Sequence, residues 1–339
     1  MSESLQFLKR LMAEPGISGY EENAQQIWRE YVEPHADRIQ QHTHGALTAF
    51  LRGEQAAAVM LIGHMDEIGM IVKHIEGNGF LKAATVGGLP RHLLQSQRVQ
   101  IVGRNGIVRG IVGTFAGAKP DPAIEEIFID IGAKDRDEAM KHVELGDPIV
   151  VGEGWLDLPN GLAAARNFDN RIGCYIAAET IRRLSQNGRP SASVLTVSSV
   201  QEETGGLGAG QAAYDGDPIE AIAFDVTWAT DYPSTSAAKR GEVKLGGGPV
   251  LIRGVRTSQR IFERLRATAE KHDIPWQVET ETGRTHTDAD AASTQRGGMP
   301  VSVVSVPCRY MHSSTEVVNL NDVEQIVQLT AAYLNEYEA

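Results

Sequence analysis

Histidines and carboxylates stand at the ends of four apolar segments in this 339-residue chain. In chain order these residues are His64, Asp66, Glu202, Glu203, Asp225 and His312. Histidine nitrogens and carboxylate oxygens are the usual zinc ligands outside structural thiolate sites. A group of them at successive strand ends therefore predicts a metal site with hydrolytic chemistry.

The number of potential ligands indicates two metals rather than one. A further carboxylate, Asp169, precedes a helix predicted from about 170 to 186. Two histidines and three carboxylates exceed what one catalytic zinc needs. They suit two ions a few ångströms apart, with one carboxylate bridging them.

The neighbouring pair Glu202-Glu203 predicts two different roles, since adjacent residues of an extended strand point to opposite sides. One carboxylate can bind metal while the other acts as a general base on a water molecule. A bound metal lowers the pKa of that water towards about 7. Asp66 lies two residues after His64 and could orient its imidazole through the second ring nitrogen.

Each of these residues also has an ordinary structural explanation. Glu202-Glu203 could form a solvated turn, Asp169 could cap the following helix, and Asp225 could begin a turn. Their joint occurrence at successive strand ends favours the metal site over these separate explanations.

The elements that would carry these residues predict an α/β fold. Four apolar segments read as buried strands, and they are AAAVMLIG (56–63), SASVLTVSSV (191–200), AIAFDV (221–226) and MPVSVVSVP (299–307). Their alternation with helical segments predicts a mostly parallel sheet with helices on both faces. In such sheets, functional groups collect beyond the carboxyl ends of the strands. Near the start of the chain, Ser18 and Glu21 match a capping box ahead of a helix at 23–31.

Residues 68–163 differ from the rest, because they are rich in Val, Ile and Gly and contain turn signals such as EGNG (76–79). This composition predicts a small β-rich domain inserted into a larger one. We therefore assign residues 1–67 and 164–339 to the catalytic domain.

Composition excludes several classes of function. The formal net charge of −12 and the absence of a basic patch argue against a nucleic-acid partner. No segment reaches the roughly 18 apolar residues that a membrane span requires, and the N-terminus lacks an apolar signal-type run. Cys174 and Cys308 form no CxxC pair, which fits a reducing compartment. We therefore expect a cytoplasmic protein.

Five segments carry a resemblance to a known family. They are GHMDEIGMIV (63–72), ARNFDNRIG (165–173), SVQEETGGLGA (199–209), FDVTWATDYP (224–233) and VPCRYMHSSTEVV (306–318). In this order they resemble metallopeptidase family forty-two, the tetrahedral aminopeptidases, also called glutamyl aminopeptidases or endoglucanase-like proteins. The resemblance extends over nearly the whole chain. It implies a metal-dependent aminopeptidase that releases N-terminal residues from short peptides.

The resemblance also implies roles for individual residues. His64 and Asp225 would bind one metal, Glu203 and His312 the other, and Asp169 would bridge them. Glu202 would be the general base for a hydroxide bridging the two metals, with Asp66 as the partner of His64. The cofactor would be two divalent ions, zinc in the first place, with cobalt or manganese also possible. The 68–163 segment would be a PDZ-like dimerisation domain, and the chain would form a homo-oligomer such as a tetrahedral dodecamer.

Two features of the chain depart from the family. Asn170 occupies a position where the family often has a second aspartate, and THTD (285–288) replaces a simpler GTD, with His286 expected at the surface. The sequence does not determine the preferred N-terminal residue.

Three competing functions fit parts of the same pattern. A dinuclear amidase or deacylase would need an arginine for the substrate carboxylate, and Arg171 and Arg309 lie near the motifs. An endoglucanase would need aromatic platforms and a carboxylate pair without metals, whereas aromatic residues make up only 6% of the chain. An inactive assembly scaffold would be expected to lack a ligand or the base, and all six positions are filled.

Overall fold

The computed structural model describes residues 2–114 and 117–338. The helices are α1 Glu3–Ala13, α2 Glu22–Val32, α3 Arg136–Ala139, α4 Phe168–Gln186, α5 Leu207–Gly216, α6 Ala237–Arg240, α7 Gln259–Lys271, α8 Asp288–Ser293 and α9 Leu320–Asn335. The strands are β1 Arg38–Gln41, β2 Leu47–Leu51, β3 Ala58–His64, β4 Gly69–Ile75, β5 Leu81–Val86, β6 Arg98–Gly103, β7 Gly106–Val112, β8 Ile129–Asp130, β9 Pro148–Val151, β10 Leu156–Asp157, β11 Leu162–Ala165, β12 Ser193–Ser199, β13 Glu220–Trp228, β14 Val250–Gly254, β15 Gln277–Glu281, β16 Val301–Arg309 and β17 Glu316–Asn319. Over these two ranges, none of the helices has the length and apolar character needed to cross a bilayer.

The large sheet has a parallel centre and antiparallel margins. Its strand order is β1-β2-β12-β3-β13-β16-β17-β11-β10, and β14 and β15 branch from β16. The four central strands β12, β3, β13 and β16 are parallel, whereas β1, β2, β17, β11 and β10 pair antiparallel to their neighbours. The predicted parallel α/β sheet is thus confirmed at its centre, where the chain runs from strand to helix and back.

Helices cover both faces of this sheet, as predicted. Along β3, Val59 and Leu61 face a core shared with α1, α2, α4 and α9, while Met60 and Ile62 face a second core shared with α5 and α8. Successive side chains of a strand point to opposite faces, so a strand that is apolar on both faces must be covered twice. The site-bearing strands are therefore held rigidly in the middle of three layers.

A second unit, a closed barrel, is formed by strands β4, β5, β8, β7, β6 and β9. It has its own apolar core, which includes Met70, Leu81, Ile101, Ile129 and Ile149. The following strands, β10 and β11, return to the edge of the large sheet. A β-rich unit was predicted in this part of the chain, and the barrel is the structure found there.

The predicted capping box at Ser18 and Glu21 is wrong. Helix α2 begins at Glu22, and Glu21 makes no side-chain capping bond to it. The Ser18 hydroxyl instead donates to Asp66 Oδ2 at 2.6 Å, and Glu21 Oε1 accepts from the backbone N–H of Gln201 at 3.1 Å. Both residues tie the N-terminal segment to the ends of the central strands, a long-range use that a local pattern does not reveal.

Candidate metal centre

The register of the central strands brings the predicted residues to one level. His64 ends β3 and lies opposite Ser199, the last residue of β12. Ala223 of β13 pairs with Ile62 of the parallel strand β3. Asp225 and His64 each lie two residues further along their strands, so they are neighbours. Because parallel strands end at the same edge, these side chains converge there.

A close approach of helix α4 to β3 positions Asp169. A Cβ atom on Gly63 would lie 2.3 Å from the carbonyl carbon of Gly173, and one on Gly173 would lie 2.8 Å from the Phe224 carbonyl oxygen. Both positions therefore exclude any larger residue. Glycine at this crossing lets the start of α4, with Asp169, sit directly against the strand ends.

Asp169 lies between two histidines that approach from different strands. Its Oδ1 is 3.3 Å from His64 Nε2, and its Oδ2 is 3.2 Å from His312 Nε2. Glu203 Oε1 is 3.4 Å from the same nitrogen of His312. Asp169 thus presents one oxygen to each half of the cluster.

The donor atoms form two sets that share Asp169. His64, Asp169 and Asp225 make one set, and Asp169, Glu203 and His312 make the other, with the donor atoms of each set lying within 4.8 Å of one another. Glu202 belongs to neither set, although its Oε2 lies 3.9 Å from His64 Nε2. The structure therefore brings together all the residues that the sequence singled out, with Glu202 beside the two sets.

The charge of this cluster fits bound cations. Burial raises the pKa of Glu202 to about 9 against the effect of His64, with Asp288, Asp225 and Glu203 contributing. Burial and Asp169 raise the pKa of Asp225 well above its usual range. Over the described residues, no lysine or arginine nitrogen lies within 4.0 Å of these four carboxylates. Buried like charges need a compensating positive charge. Oxygen and imidazole donors in this number suit divalent metal ions.

The two histidines compensate part of this charge when they are protonated. Burial lowers the pKa of His64, but its contacts with Asp169 and Asp66 outweigh burial and raise it well above the usual value. Burial also opposes the charged form of His312, yet Asp169 and Glu203 raise its pKa to about 11. The pKa of Asp169 is correspondingly low: burial alone would raise it, but His312 and His64 lower it.

Asp66 orients His64 and also anchors the turn that carries the two glutamates. His64 Nδ1 donates to the Asp66 backbone carbonyl at 3.0 Å, while the Asp66 carboxylate lies farther away, at 3.5 Å. This bond leaves His64 Nε2 free as a donor atom for metal. The carboxylate accepts the backbone N–H groups of Glu202 at 3.0 Å and Glu203 at 3.2 Å. The two glutamates therefore lie in a turn and not on an extended strand.

Glu316 is a member of the site that the sequence reasoning missed. Its Oε2 accepts the backbone N–H of Asp169 at 2.9 Å, and its Oε1 accepts that of His312 at 3.0 Å. The side chain is buried, and burial together with Asp169 raises its pKa well above the usual range. A single acidic residue opening the apolar strand β17 was the available signal. Glu316 thus fixes the backbone under two candidate ligands.

Asp288, at the start of α8, ends the THTD segment (285–288) but was not predicted as a site residue. Its side chain is buried close to the cluster. Burial raises its pKa to about 6, although nearby His64 and the Ser199 hydroxyl lower it. Its carboxylate adds to the negative field behind the cluster.

The residues that depart from the family, or that an amidase would use, have structural partners. Asn170 donates from Nδ2 to the Phe224 carbonyl at 2.7 Å, a bond that an ionised aspartate could not make. Arg171 is fully buried and donates to the Met65 and Leu11 carbonyls at 3.0 and 2.6 Å. Arg309 is held by Asp231 at 2.7 and 2.8 Å. Neither arginine is free for a substrate carboxylate.

The cluster opens into a cleft of about 1300 Å³. Its far wall comes from β15 and the segment before α8, where the exposed His286 is one of the lining residues. A cleft of this size has room for a ligand larger than a single small group.

Comparisons with known proteins identify relatives that match this chain over most of its length. The sequence model described as M42 glutamyl aminopeptidase matches residues 45–329. A lysyl aminopeptidase of Pyrococcus furiosus is 32% identical over 348 residues, covering 98% of this chain and 96% of that protein. The crystal structure of a TET aminopeptidase from Thaumarchaeota archaeon SCGC AB-539-E09 superposes with a TM-score of 0.94 at 32% identity, covering 99% of this chain and 97% of that one. The TET1 peptidase of Pyrococcus horikoshii, described as assembling into a tetrahedron or an octahedral shell, gives 0.88 at 30% identity, covering 99% and 100%.

Proposed function

Because the chain belongs to the M42 glutamyl aminopeptidase family of metal-dependent peptidases, we propose that it removes N-terminal residues from short peptides at a dinuclear metal centre. The observation that carries the proposal is Asp169, whose two oxygens face His64 and His312 at 3.3 and 3.2 Å. One carboxylate shared by two donor sets is the arrangement expected for paired divalent ions.

His64 and Asp225 would hold one ion, Glu203 and His312 the other, and Asp169 both. Bound there, the two ions supply a nucleophilic water at neutral pH and polarise the scissile carbonyl. The donor set contains only imidazole and carboxylate groups, which suits zinc and also permits cobalt or manganese.

Glu202 is the general base in this proposal. Its carboxylate lines the cleft and lies outside both donor sets, so it is free to move a proton. Glu202 takes a proton from the water as that water attacks the carbonyl carbon, and then gives it to the amine nitrogen that leaves. Asp66 holds the Glu202 backbone N–H at 3.0 Å and thereby keeps the carboxylate next to the site.

We propose that the barrel is the dimerisation domain. It would correspond to the predicted insert at 68–163, which was expected to be PDZ-like. A homo-oligomer built from such dimers, up to a tetrahedral dodecamer, is proposed because a structural relative is described as a tetrahedral assembly. Light scattering of the purified protein would measure its mass. A monomer at micromolar concentration would contradict this assignment.

A panel of aminoacyl chromogenic substrates tests the activity. We expect hydrolysis that a chelator abolishes and that added zinc, cobalt or manganese restores. N-acetylated versions of the same substrates should not be cleaved, which separates an aminopeptidase from a deacylase. Cleavage of a cellulose-type glucan that resists chelator would support an endoglucanase instead.

A further inference from the structure

The wall of the cleft opposite the metal cluster carries two glutamates, Glu279 and Glu281, and Glu281 Oε1 accepts the backbone N–H groups of Thr282 and Gly283 at 2.7 and 3.0 Å. Gln277, Glu279 and Glu281 alternate with exposed residues along β15, so the two glutamates share the face that lines the cleft. Over the described residues, no lysine, arginine or histidine nitrogen lies within 4.0 Å of either carboxylate. Arg240 acts on Glu279 only from beyond that distance, so a cationic group from outside the chain can approach the Glu279 carboxylate directly.

Glu279 is held at a fixed distance from the candidate metal ligands. The Thr227 hydroxyl donates to Glu279 Oε2 at 2.5 Å, and no other side chain in the described ranges bonds the second carboxylate oxygen. Thr227 stands two residues after Asp225 on β13, so their side chains share a face about 7 Å apart. Glu279 thus lies next to the strand that carries Asp225 and lines the same cleft as the cluster.

Four cationic side chains also line the cleft, namely Lys239, Arg240, Arg256 and Arg284, and all four are exposed. Arg256 and Arg284 share Asp290, at 3.6 and 3.4 Å. Arg240 lies on the short helix α6, is exposed, and places its guanidinium 4.8 Å from the centre of the Trp228 ring. An exposed arginine binds an anion weakly because water and salt screen it.

Glu279 is less exposed to solvent than the arginines of the cleft, so water and salt screen its charge less. It is half buried on a strand; burial and Glu281 raise its pKa, whereas Thr227 and Arg240 lower it. The ionised form of a half-buried carboxylate gains most from a cation beside it. A lysine or arginine side chain has the long apolar stem and charged end that fit this position.

We propose that Glu279, supported by Glu281 and Thr227, forms the pocket for the first residue of the substrate and selects peptides with N-terminal lysine or arginine. This inference rests on the proposed function, because it names the substrate class of the same site. The relatives carry both lysyl and glutamyl names, so the selectivity must come from side chains of the individual cleft.

The test compares kcat/KM for lysyl, leucyl and glutamyl substrates in the wild-type protein and in Glu279→Gln. We expect the lysyl substrate to be preferred over the leucyl one. Because a hydrogen bond to a charged group is worth more than a neutral one, the variant should lower the lysyl-to-leucyl ratio by about tenfold or more, chiefly through KM. The matched control Glu270→Gln, on the exposed end of α7, should leave the ratio as it is.

Two results would overturn the pocket while leaving the aminopeptidase in place: no lysyl preference, or a glutamyl preference that Arg240→Gln abolishes. Failure on every substrate would count against the proposed function. In that case calorimetric binding of lysine and leucine still decides the inference, because Glu279→Gln should weaken lysine binding selectively. Equal binding of the two amino acids by wild-type protein would reject the pocket.

Discussion

Replacing Glu316 by glutamine tests whether this buried carboxylate fixes the candidate metal ligands. Its two oxygens accept the backbone N–H groups of Asp169 and His312 at 2.9 and 3.0 Å. Glutamine keeps the shape but offers only one acceptor oxygen, so its NH₂ group must face one of these N–H donors. One buried donor is then left without a partner.

The size of the effect follows from these two contacts. A hydrogen bond to a charged acceptor contributes about 1.5–3 kcal/mol, and an unsatisfied buried donor costs about 1–3 kcal/mol. Because the two figures describe overlapping parts of one event, we expect the free energy of unfolding to fall by about 2–3 kcal/mol. The displaced backbone should also weaken metal affinity by about 10–100-fold, the usual effect of losing a group that orients ligands.

The assay is urea unfolding of the chelator-treated protein, followed by metal titration and elemental analysis. Glu54→Gln is the matched control because Glu54 is exposed. A Glu316→Gln protein with the stability and metal affinity of this control would refute the positioning role. Loss of stability with unchanged metal affinity would reduce Glu316 to a structural residue.

Three further predictions address other parts of the molecule. Glu202→Gln should retain both metals by elemental analysis and lose turnover by about 10²–10⁴-fold, the contribution of a general base; near-normal turnover would remove that role. His312→Ala should retain about one metal per chain and little activity, since one donor set loses its only imidazole; two retained metals would contradict the ligand assignment. Burial opposes ionisation of Glu179, but Arg182 and Tyr31 outweigh burial and lower the pKa of Glu179. The ionised Glu179 therefore stabilises the folded protein above the unfolded-state pKa near 4.5, and this stabilisation is lost as the pH falls through the lower folded-state pKa. Glu179→Gln should therefore destabilise the protein more at pH 7 than at pH 3 in urea unfolding, and an equal loss at both pH values would argue against this ion pair.

The sequence by itself determined the central strands and the candidate residues. Apolar runs such as 56–63 predict buried strands from local pattern alone. A polar residue at the end of such a run must lie at the sheet edge, because its strand is buried along its length. His64 and Asp225 were therefore predictable as neighbours, since parallel strands align their carboxyl ends.

Only the tertiary structure decided which distant groups support the site. Glu316 contacts Asp169 across 147 residues of chain, and Ser18 contacts Asp66 across 48. A lone acidic residue carries no local signal for the N–H groups it will accept. The same holds for Glu279, which reaches Thr227 only because β15 lies against the cleft. Local periodicity reports burial and element type, whereas these contacts depend on how the elements pack.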